Sequence, residues 1–353
     1  MTNIDAAAEG SLPAQFDPAV PHPARVYAYW LGGKDHYPAD RAAGQEVVRL
    51  RPQVVAAARA NRAFGCRITG HAAGSLGIRQ FLDIGAGLPA PGPTHEVAQK
   101  VSPACTVAYV DNDPLVLAHG RALTTARPGA QPCTWIHGDI RDPDLLIDRA
   151  STVLDFTRPI AVLLLAVLHF VSDAEDPAAI MARLAAALAP GSLIALTHLT
   201  ADFAPQAITD SAAAYNARVP VHVHPRARDQ ITALCGDQRI EYPGVVPVNH
   251  WMPSLRDTLG PAVDLHAAVI RLPRPGPAPA NTTAHARPGP LGATREASAL
   301  EQAAARFPGH RILRENTAAG VAYIAQARDL RTRPYLVMAS TLADLCTRLD
   351  PAS

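Results

Sequence analysis

Apolar positions along the chain fall into two alternating kinds of run. Short aliphatic stretches at Arg79 to Ile84, Thr106 to Val110, Thr134 to His137, Ile160 to Leu165 and Leu193 to Thr197 read as β-strands. Stretches with apolar residues at helical spacing lie between them and predict helices over Thr94 to Lys100, Pro114 to Thr124, Asp144 to Ala150 and Pro177 to Leu188. Pro114 opens its helix at a favoured first-turn position, and Pro190-Gly191 ends the last one. Ile160 to Leu165 is aliphatic throughout, as a central parallel strand covered on both faces requires. Strand and helix in strict alternation predict an α/β fold with a doubly wound sheet, whose ligands gather at the C-terminal ends of the strands.

The flanks have different patterns. Residues 1–20 are polar and alanine-rich, with Pro13 and Pro18, and are expected to form a flexible tail. Residues 21–75 form a segment of their own, with helical spacing from Arg51 to Phe64 that puts Val54, Val55, Ala58 and Arg62 near one face. Asn61 and Arg62 either point back toward a bound ligand's carboxylate or form a solvated helix end. The core spans residues 76–272. From 273 to 296 the density of proline predicts an extended, semi-rigid linker. Beyond it, residues 297–353 predict a small α+β unit: a helix over Ala297 to Phe307, a hairpin of His310 to Glu315 and Val321 to Ala327 around Asn316 to Gly320, a strand at Pro334 to Met338 and a helix at Leu342 to Leu349. A unit this small is marginal by itself, so it is expected to dock on the core, on a second copy in a homodimer or on another protein.

The first strand ends in Asp83-Ile84-Gly85-Ala86-Gly87-Leu88-Pro89. Gly85 and Gly87 lack the Cβ that would keep a ligand from the backbone. The second strand ends at Asp111, a carboxylate placed to accept hydrogen bonds from both hydroxyls of an adenosine ribose. The third leads to Asp139, an acceptor for an adenine amino group, and to Ile140, which can pack on the ring. Gly85 to Ala90 also fits the dinucleotide fingerprint of nicotinamide and flavin enzymes. In that fingerprint a helix opens at once to meet the pyrophosphate. Here Pro89, Pro91 and Pro93 hold the chain extended until Thr94. Glycine turn, ribose acid and adenine acid at the tips of successive strands form the pattern of an S-adenosylmethionine site.

Composition narrows the partners. The net charge of +1, from 32 basic and 31 acidic residues, leaves no electrostatic footprint for a nucleic-acid backbone. Cys66, Cys105, Cys133, Cys235 and Cys346 are scattered and lack metal-ligand spacing, so they read as reduced thiols of a cytoplasmic protein with no metal site. Met1 to Gln15 has no basic start or apolar core, so no signal peptide is expected. The apolar run Ile160 to Leu168 is too short for a membrane span, which needs about 20 residues.

Aromatic residues make up only 5% of the chain, so the cluster of Tyr27, Tyr29, Trp30, His36 and Tyr37 around Gly32-Gly33 stands out. It reads either as a hydrophobic staple for an N-terminal arm or as a lid whose ring faces favour a sulfonium and exclude water. His222 and His224 invite a metal reading, but no carboxylate or cysteine sits at ligand spacing. The alternating polar residues of Val219 to Arg228 fit an exposed extended strand instead. Trp251 with Pro253 either shapes the acceptor pocket or plugs the sheet.

Ala24 to Tyr37, Phe81 to Pro89, Thr94 to Gln99, Tyr109 to Pro114 and Val167 to Val171, in that order, resemble an S-adenosylmethionine-dependent methyltransferase family formerly catalogued as a domain of unknown function. The resemblance runs from about Pro21 to about Leu272. It implies a class I methyltransferase fold, with a Rossmann-like seven-stranded sheet whose last strand is antiparallel and whose final antiparallel pair lies near Ile240 to Val246 and Leu265 to Leu272. It also implies S-adenosyl-L-methionine as cofactor, an unidentified small-molecule substrate and in-line methyl transfer. The chain departs from the family pattern at Ala28, where an acid is usual, at His36, where asparagine is usual, and at Pro93, where a polar residue is usual. The expected cofactor-binding set is Asp83, Gly85, Gly87, Asp111, Asn112, Asp139, Ile140 and Ala166. His169, just after the fourth strand, is similar to the histidine with which small-molecule O-methyltransferases deprotonate their acceptor; as a helix-start residue bonded to backbone it has a purely structural reading too. His198, after the fifth strand, and Tyr29 and Asp35 of the lid complete the catalytic candidates. A catalytically silent cofactor-binding regulator, with the C-terminal unit contacting a partner, is the alternative.

Overall fold

Aliphatic residues at every position of the central strands dictate the layering, because each such strand must be covered on both faces. The computed structural model describes residues 17–124, 128–251, 261–273, 299–300, 302–317, 320–327, 336–339 and 341–349. The chain divides into two units, Met1–Gly276 and Pro277–Ser353. The division falls within the proline-rich stretch. Most of the predicted tail and all but the first residue of the predicted linker lie outside the described residues.

The first unit opens with helices α1 (Pro23–Trp30), α2 (Pro38–Leu50) and α3 (Val54–Gly74). There follow β1 (Gln80–Ile84), α4 (Thr94–Val101), β2 (Thr106–Asp111), α5 (Pro114–Leu123), β3 (Cys133–His137), α6 (Pro143–Ser151), β4 (Ile160–Leu165), α7 (Pro177–Ala187) and β5 (Leu193–Leu199). Helices α8 (Pro205–Asn216) and α9 (Arg228–Leu234) precede β6 (Val246–Pro247) and β7 (Leu265–Arg271). The 7-stranded sheet has the order β3-β2-β1-β4-β5-β7-β6. Its first five strands are parallel, β7 runs antiparallel to them, and the two-residue β6 pairs antiparallel with β7. This is a Rossmann-like α/β sheet of the class I methyltransferase kind, and its order reverses between β1 and β4, where ligands of such sheets collect.

Successive strand residues point to opposite faces, so one strand feeds two cores. Leu82, Ile84, Val162 and Leu164 pack on one side with Leu146, Ile180 and Leu184. Phe81, Val107, Ala161 and Leu163 pack on the other with Phe64 and Ile68 of α3. Each Leu, Ile or Phe fully buried in this way contributes roughly 1.5–3 kcal/mol. Trp251 is almost wholly buried and packs edge-on against Phe64, 5.2 Å between ring centres, so it belongs to this core. Its predicted companion, Pro253, lies outside the described residues. Trp135 of β3 stacks on Tyr109 of β2 at 4.5 Å.

Three expectations are corrected. Helix α3 continues to Gly74, so Asn61 and Arg62 lie within it and not at a solvated end. Residues 222–227 are irregular, and Val219, Val223 and Arg226 are buried, so Val219 to Arg228 is not an exposed strand. The predicted pairing near Ile240 to Val246 reduces to the bridge Ile240 to Ile270 and the two-residue β6, because Pro243 and Gly244, the latter at φ +87°, break the extended run between them.

In the second unit β8 (His310–Thr317), β9 (Gly320–Ala327) and β10 (Leu336–Ala339) form an antiparallel sheet of order β10-β9-β8, followed by α10 (Leu342–Leu349). Ala325, Leu345 and Leu349 form its small core, with Phe307 and Tyr323 packed against it. Among the described residues no helix is long and apolar enough to cross a membrane, and no group of His, Cys, Asp and Glu is placed to hold a metal ion.

Helix α5 rests on the Trp135 ring only because Gly120 has no side chain: a Cβ there would lie 2.3 Å from two ring atoms. Gly120→Ala is expected to cost about 1–3 kcal/mol through overpacking despite alanine's better helix propensity, read as a lower midpoint in urea unfolding.

Candidate functional site

The turns that end β1 and β4 carry unusual backbone. Gly85 and Gly87 both sit at φ +67°. A Cβ on Gly85 would lie 2.4 Å from Cγ2 of Val167, so the close approach of the β1 and β4 turns requires glycine. A Cβ on Gly87 would meet nothing within 4 Å and would project into open space. Ala166, the residue after β4, takes φ 59°, a conformation that costs a non-glycine residue of order 1–3 kcal/mol. Its N–H donates to Thr197 Oγ1 of β5 at 2.8 Å, which holds the turn.

The acids at the strand tips are already tied into the backbone. Asp111 accepts from the N–H of Gly87 and from that of Asp113, each at 2.9 Å, so the β2 carboxylate fixes the β1 turn. Asn112 donates to Asp139 at 2.8 Å and thereby joins the β2 and β3 tips. Asp83 is buried and accepts from the Thr94 hydroxyl at 2.6 Å. Burial pushes its carboxyl up to about 6.

A cavity of about 460 Å³ runs along these tips and under α1. Asp35, Asp83, Gly85, Gly87, Asp111, Asn112, Asp139, Ile140, Ala166 and His169 all line it. Two predicted residues do not. Tyr29 packs edge-on with His36 at 5.4 Å and lies against Gly44 of α2. His198 is wholly buried inside β5, which runs two residues past its predicted end because His198 pairs with His266 of β7. Tyr27 and Trp30 line the cavity from α1 instead, as does Ala28. The aromatic cluster is thus divided: its inner residues form a wall, and its outer ones fasten α1 to α2.

Helix α1 is held down at its N-terminal end by charge. His22 Nδ1 lies 2.9 Å from Asp113 at the start of α5, and its N–H donates to Asp40 of α2 at 2.9 Å. Arg25 sits between the same two acids, at 3.9 and 3.6 Å. On the cavity side a buried relay continues inward: Thr197 Oγ1 donates to Asn61 at 2.7 Å, Asn61 Nδ2 donates to the Tyr27 hydroxyl at 3.0 Å, and that hydroxyl donates to the Ala58 carbonyl at 3.0 Å. Burial pushes the Tyr27 phenol up to about 12, so it stays a donor.

His169 lies in a 3-10 turn after β4. Its Nδ1 is 3.4 Å from the Leu199 N–H, so the neutral ring accepts there and carries its own proton on Nε2. Burial, with His198, Arg226 and Arg51 nearby, holds the imidazole well below the ordinary histidine range. Arg226, which sequence reasoning placed on a surface strand, organises this turn. It is 3% exposed and donates to the Leu168 carbonyl (3.2 Å), the Val171 carbonyl (2.8 Å), Asp173 (2.6 and 3.1 Å) and His198 Nε2 (2.9 Å). A guanidinium has five N–H groups, and all five are used. His198 Nδ1 in turn donates to the Leu199 carbonyl at 2.8 Å. Both its nitrogens are therefore occupied, and burial pulls its pKa down to about 3. Arg141 holds the turn from the opposite side, donating to the Phe170 carbonyl and to Glu175, each at 2.6 Å. No local signal marks Arg226 as special, since its partners lie 28 to 58 positions away.

The model of a family described as S-adenosyl methyltransferase matches residues 9–273. A DUF574 family protein from Streptomyces avermitilis is 37% identical, with a TM-score of 0.69 over 73% of this chain and 99% of that one. A methyltransferase candidate from Thermobifida fusca is 35% identical, with a TM-score of 0.68 over 74% of this chain and 98% of that one. No curated protein matches the chain.

Two outcomes follow from the buried groups. Arg226→Met strands the Leu168 and Val171 carbonyls and is expected to cost about 2–3 kcal/mol in urea unfolding, from unsatisfied buried acceptors. Asp83 has the opposite sign to a stabilising ion pair: its folded value of about 6 exceeds the ordinary 3.8, so its ionisation penalises the folded state. The penalty is absent below the unfolded value and complete above the folded one. Asp83→Asn should therefore gain roughly 2–3 kcal/mol relative to the parent between about pH 4 and pH 7.5, measured by unfolding at both.

Proposed function

The chain belongs to the S-adenosyl methyltransferase family, an S-adenosyl-L-methionine-dependent enzyme family, and from that premise we propose that its cavity transfers a methyl group in line to a small-molecule acceptor. Ten cofactor and acceptor candidates converging on one cavity support this reading above all.

The residues present fit the cofactor. Asp111 uses one lone pair of each oxygen on main-chain N–H groups, which leaves acceptor capacity for two ribose hydroxyls. Asp139 and Asn112 offer an acceptor and an amide for an adenine edge, and Ile140 gives an apolar face. Open space beside Gly87 admits a ligand that any side chain there would exclude. Arg62 lines the cavity with a buried Nε that has no hydrogen-bond partner among the described residues, a cation suited to an amino-acid carboxylate. Asp83 and Ala166 complete the set. Bound there, S-adenosyl-L-methionine supplies a methyl group already activated on a sulfonium.

The chain's own contribution is alignment, which can supply about 7–11 kcal/mol of barrier reduction. Tyr27, Trp30 and Ala28 roof the cavity and keep water from it. Asp35 lines the rim. His169 is assigned to the acceptor, but as a donor: with Nδ1 taken by Leu199, a neutral ring presents Nε2–H. It orients an acceptor oxygen by a hydrogen bond and does not strip a proton from it. Tyr29 and His198 are left out of this assignment, since neither reaches the cavity.

Asp111→Ala should weaken cofactor binding by roughly 2–4 kcal/mol, as loss of a charge-assisted bridge to two hydroxyls predicts. Unchanged calorimetric affinity in a folded variant would count against the ribose assignment. Labelled-methyl transfer into a metabolite extract tests His169: Ala should cost about 10–100-fold while Gln, which keeps a donor, stays within about tenfold of the parent. If Gln proves as poor as Ala, His169 is a base. Because the imidazole titrates well below the ordinary histidine range, the rate should show no histidine inflection between about pH 6 and 8.

A further inference from the structure

The cavity's carboxylates are gathered toward one end. Asp35, Asp83, Asp111 and Asp139 are the only carboxylates among its described lining residues. Three of them sit at the tips of β1, β2 and β3, and Asp35 lies 3.9 Å from His119 of α5 on the same side. The cavity also extends the other way, under β5 and β7. The sheet order places five strand spacings of about 4.8 Å between β3 and β7, roughly 24 Å in all. At that far end Val47, Val54, Leu199, Ala212, Tyr215 and Val223 line the cavity, a largely apolar wall whose polar groups include the Ser211 and Tyr215 hydroxyls.

One charged side chain is set into these apolar walls. Arg51, just after α2, lines the cavity and is 6% exposed. Its Nη1 donates to Asp264 at 3.2 Å, and its Nε has no hydrogen-bond partner among the described residues. Asp264 is itself buried and does not line the cavity. A single contact of that length does not saturate the five N–H groups of a guanidinium. A buried planar cation with donors to spare, in a largely apolar chamber, matches the paired oxygens of a carboxylate.

We infer that the acceptor is a largely apolar small molecule bearing a carboxylate, and that Arg51 holds that carboxylate at the end of the cavity away from the strand-tip acids. This rests on the methyltransferase reading for the word acceptor, but the anion site itself does not. The strand-tip acids share their end of the cavity with Arg62 and Arg141, whereas Arg51 has no cavity-lining carboxylate beside it and keeps its donors for an anionic partner. Arg51 acts here as a specificity residue. It grips the acceptor and leaves the reacting atoms to His169.

Calorimetry on the full chain tests this with phenylpropanoate, naphthoate and decanoate, each beside its primary amide as the neutral match. At least one carboxylate should bind about tenfold or more tightly than its amide, and Arg51→Gln should cut that preference to about threefold or less while leaving amide binding almost unchanged. Should Arg51→Gln fail to fold because Asp264 is left buried and alone, Arg51→Gln combined with Asp264→Asn removes the pair together and is measured in its place. Absence of binding by all three carboxylates at millimolar concentration, equal binding of acid and amide, or a preference that survives the variant overturns the proposal. S-adenosylhomocysteine is titrated into the same samples. If it does not bind while the Arg51-dependent preference persists, the cofactor assignment fails and the anion site stands.

Discussion

Everything at the reactive end of this sheet depends on how the chain leaves β4. That turn starts from a strained Ala166 and carries His169 into the cavity wall, with only the short 3-10 bonds Phe170 to Val167 and Val171 to Leu168 inside its own span. Two guanidinium groups do so from opposite sides. Arg226 saturates itself on carbonyls, a carboxylate and an imidazole, and Arg141 bridges the turn to Asp139 at the β3 tip. Buried carbonyls without partners are costly, so the turn has one low-energy arrangement while both arginines are in place. His198 is best understood as part of this brace, an acceptor for Arg226.

The same logic extends to the roof. A relay of hydroxyl and amide groups leads from the β4 turn through Thr197 and Asn61 to Tyr27 on α1. The helix that covers the cavity and the turn that carries its histidine are therefore hydrogen-bonded to one another through β5 and α3. His22 and Arg25 pin the start of that helix to the cap of α5, next to the strand whose tip carries Asp111. Roof, floor and the Asp111 strand tip are linked by polar contacts of defined length, as the alignment role proposed for the site would require.

The carboxylates of the cavity are gathered toward one of its ends. Three of the four acids belong to strand tips, where the chain's topology gathers them, and Arg51 follows α2 in the helical layer that covers the opposite end.

Strand and helix alternation, the glycine turn and the acids at Asp111 and Asp139 were legible in the sequence because each depends on local rules: the period of apolar residues, and what a backbone can do without a Cβ. The hairpin and last helix of the C-terminal unit were legible for the same reason. Tertiary structure decided the rest. Tyr27, Tyr29 and Trp30 supply rings at three helical phases, and only the docking of α1, through His22, Arg25 and the bonds of Tyr27 to α3 and Trp30 to α2, put Tyr27 and Trp30 on the cavity and left Tyr29 off it. His198 lay at a strand's apparent end until pairing with His266 extended β5 past it. Arg226 and Arg51 have no local pattern, since a buried guanidinium is defined by acceptors far away in the chain: Asp264 is 213 positions from Arg51. Periodicity reports which way a side chain faces relative to its neighbours in sequence, whereas partners for a buried charge exist only once distant segments have been brought together.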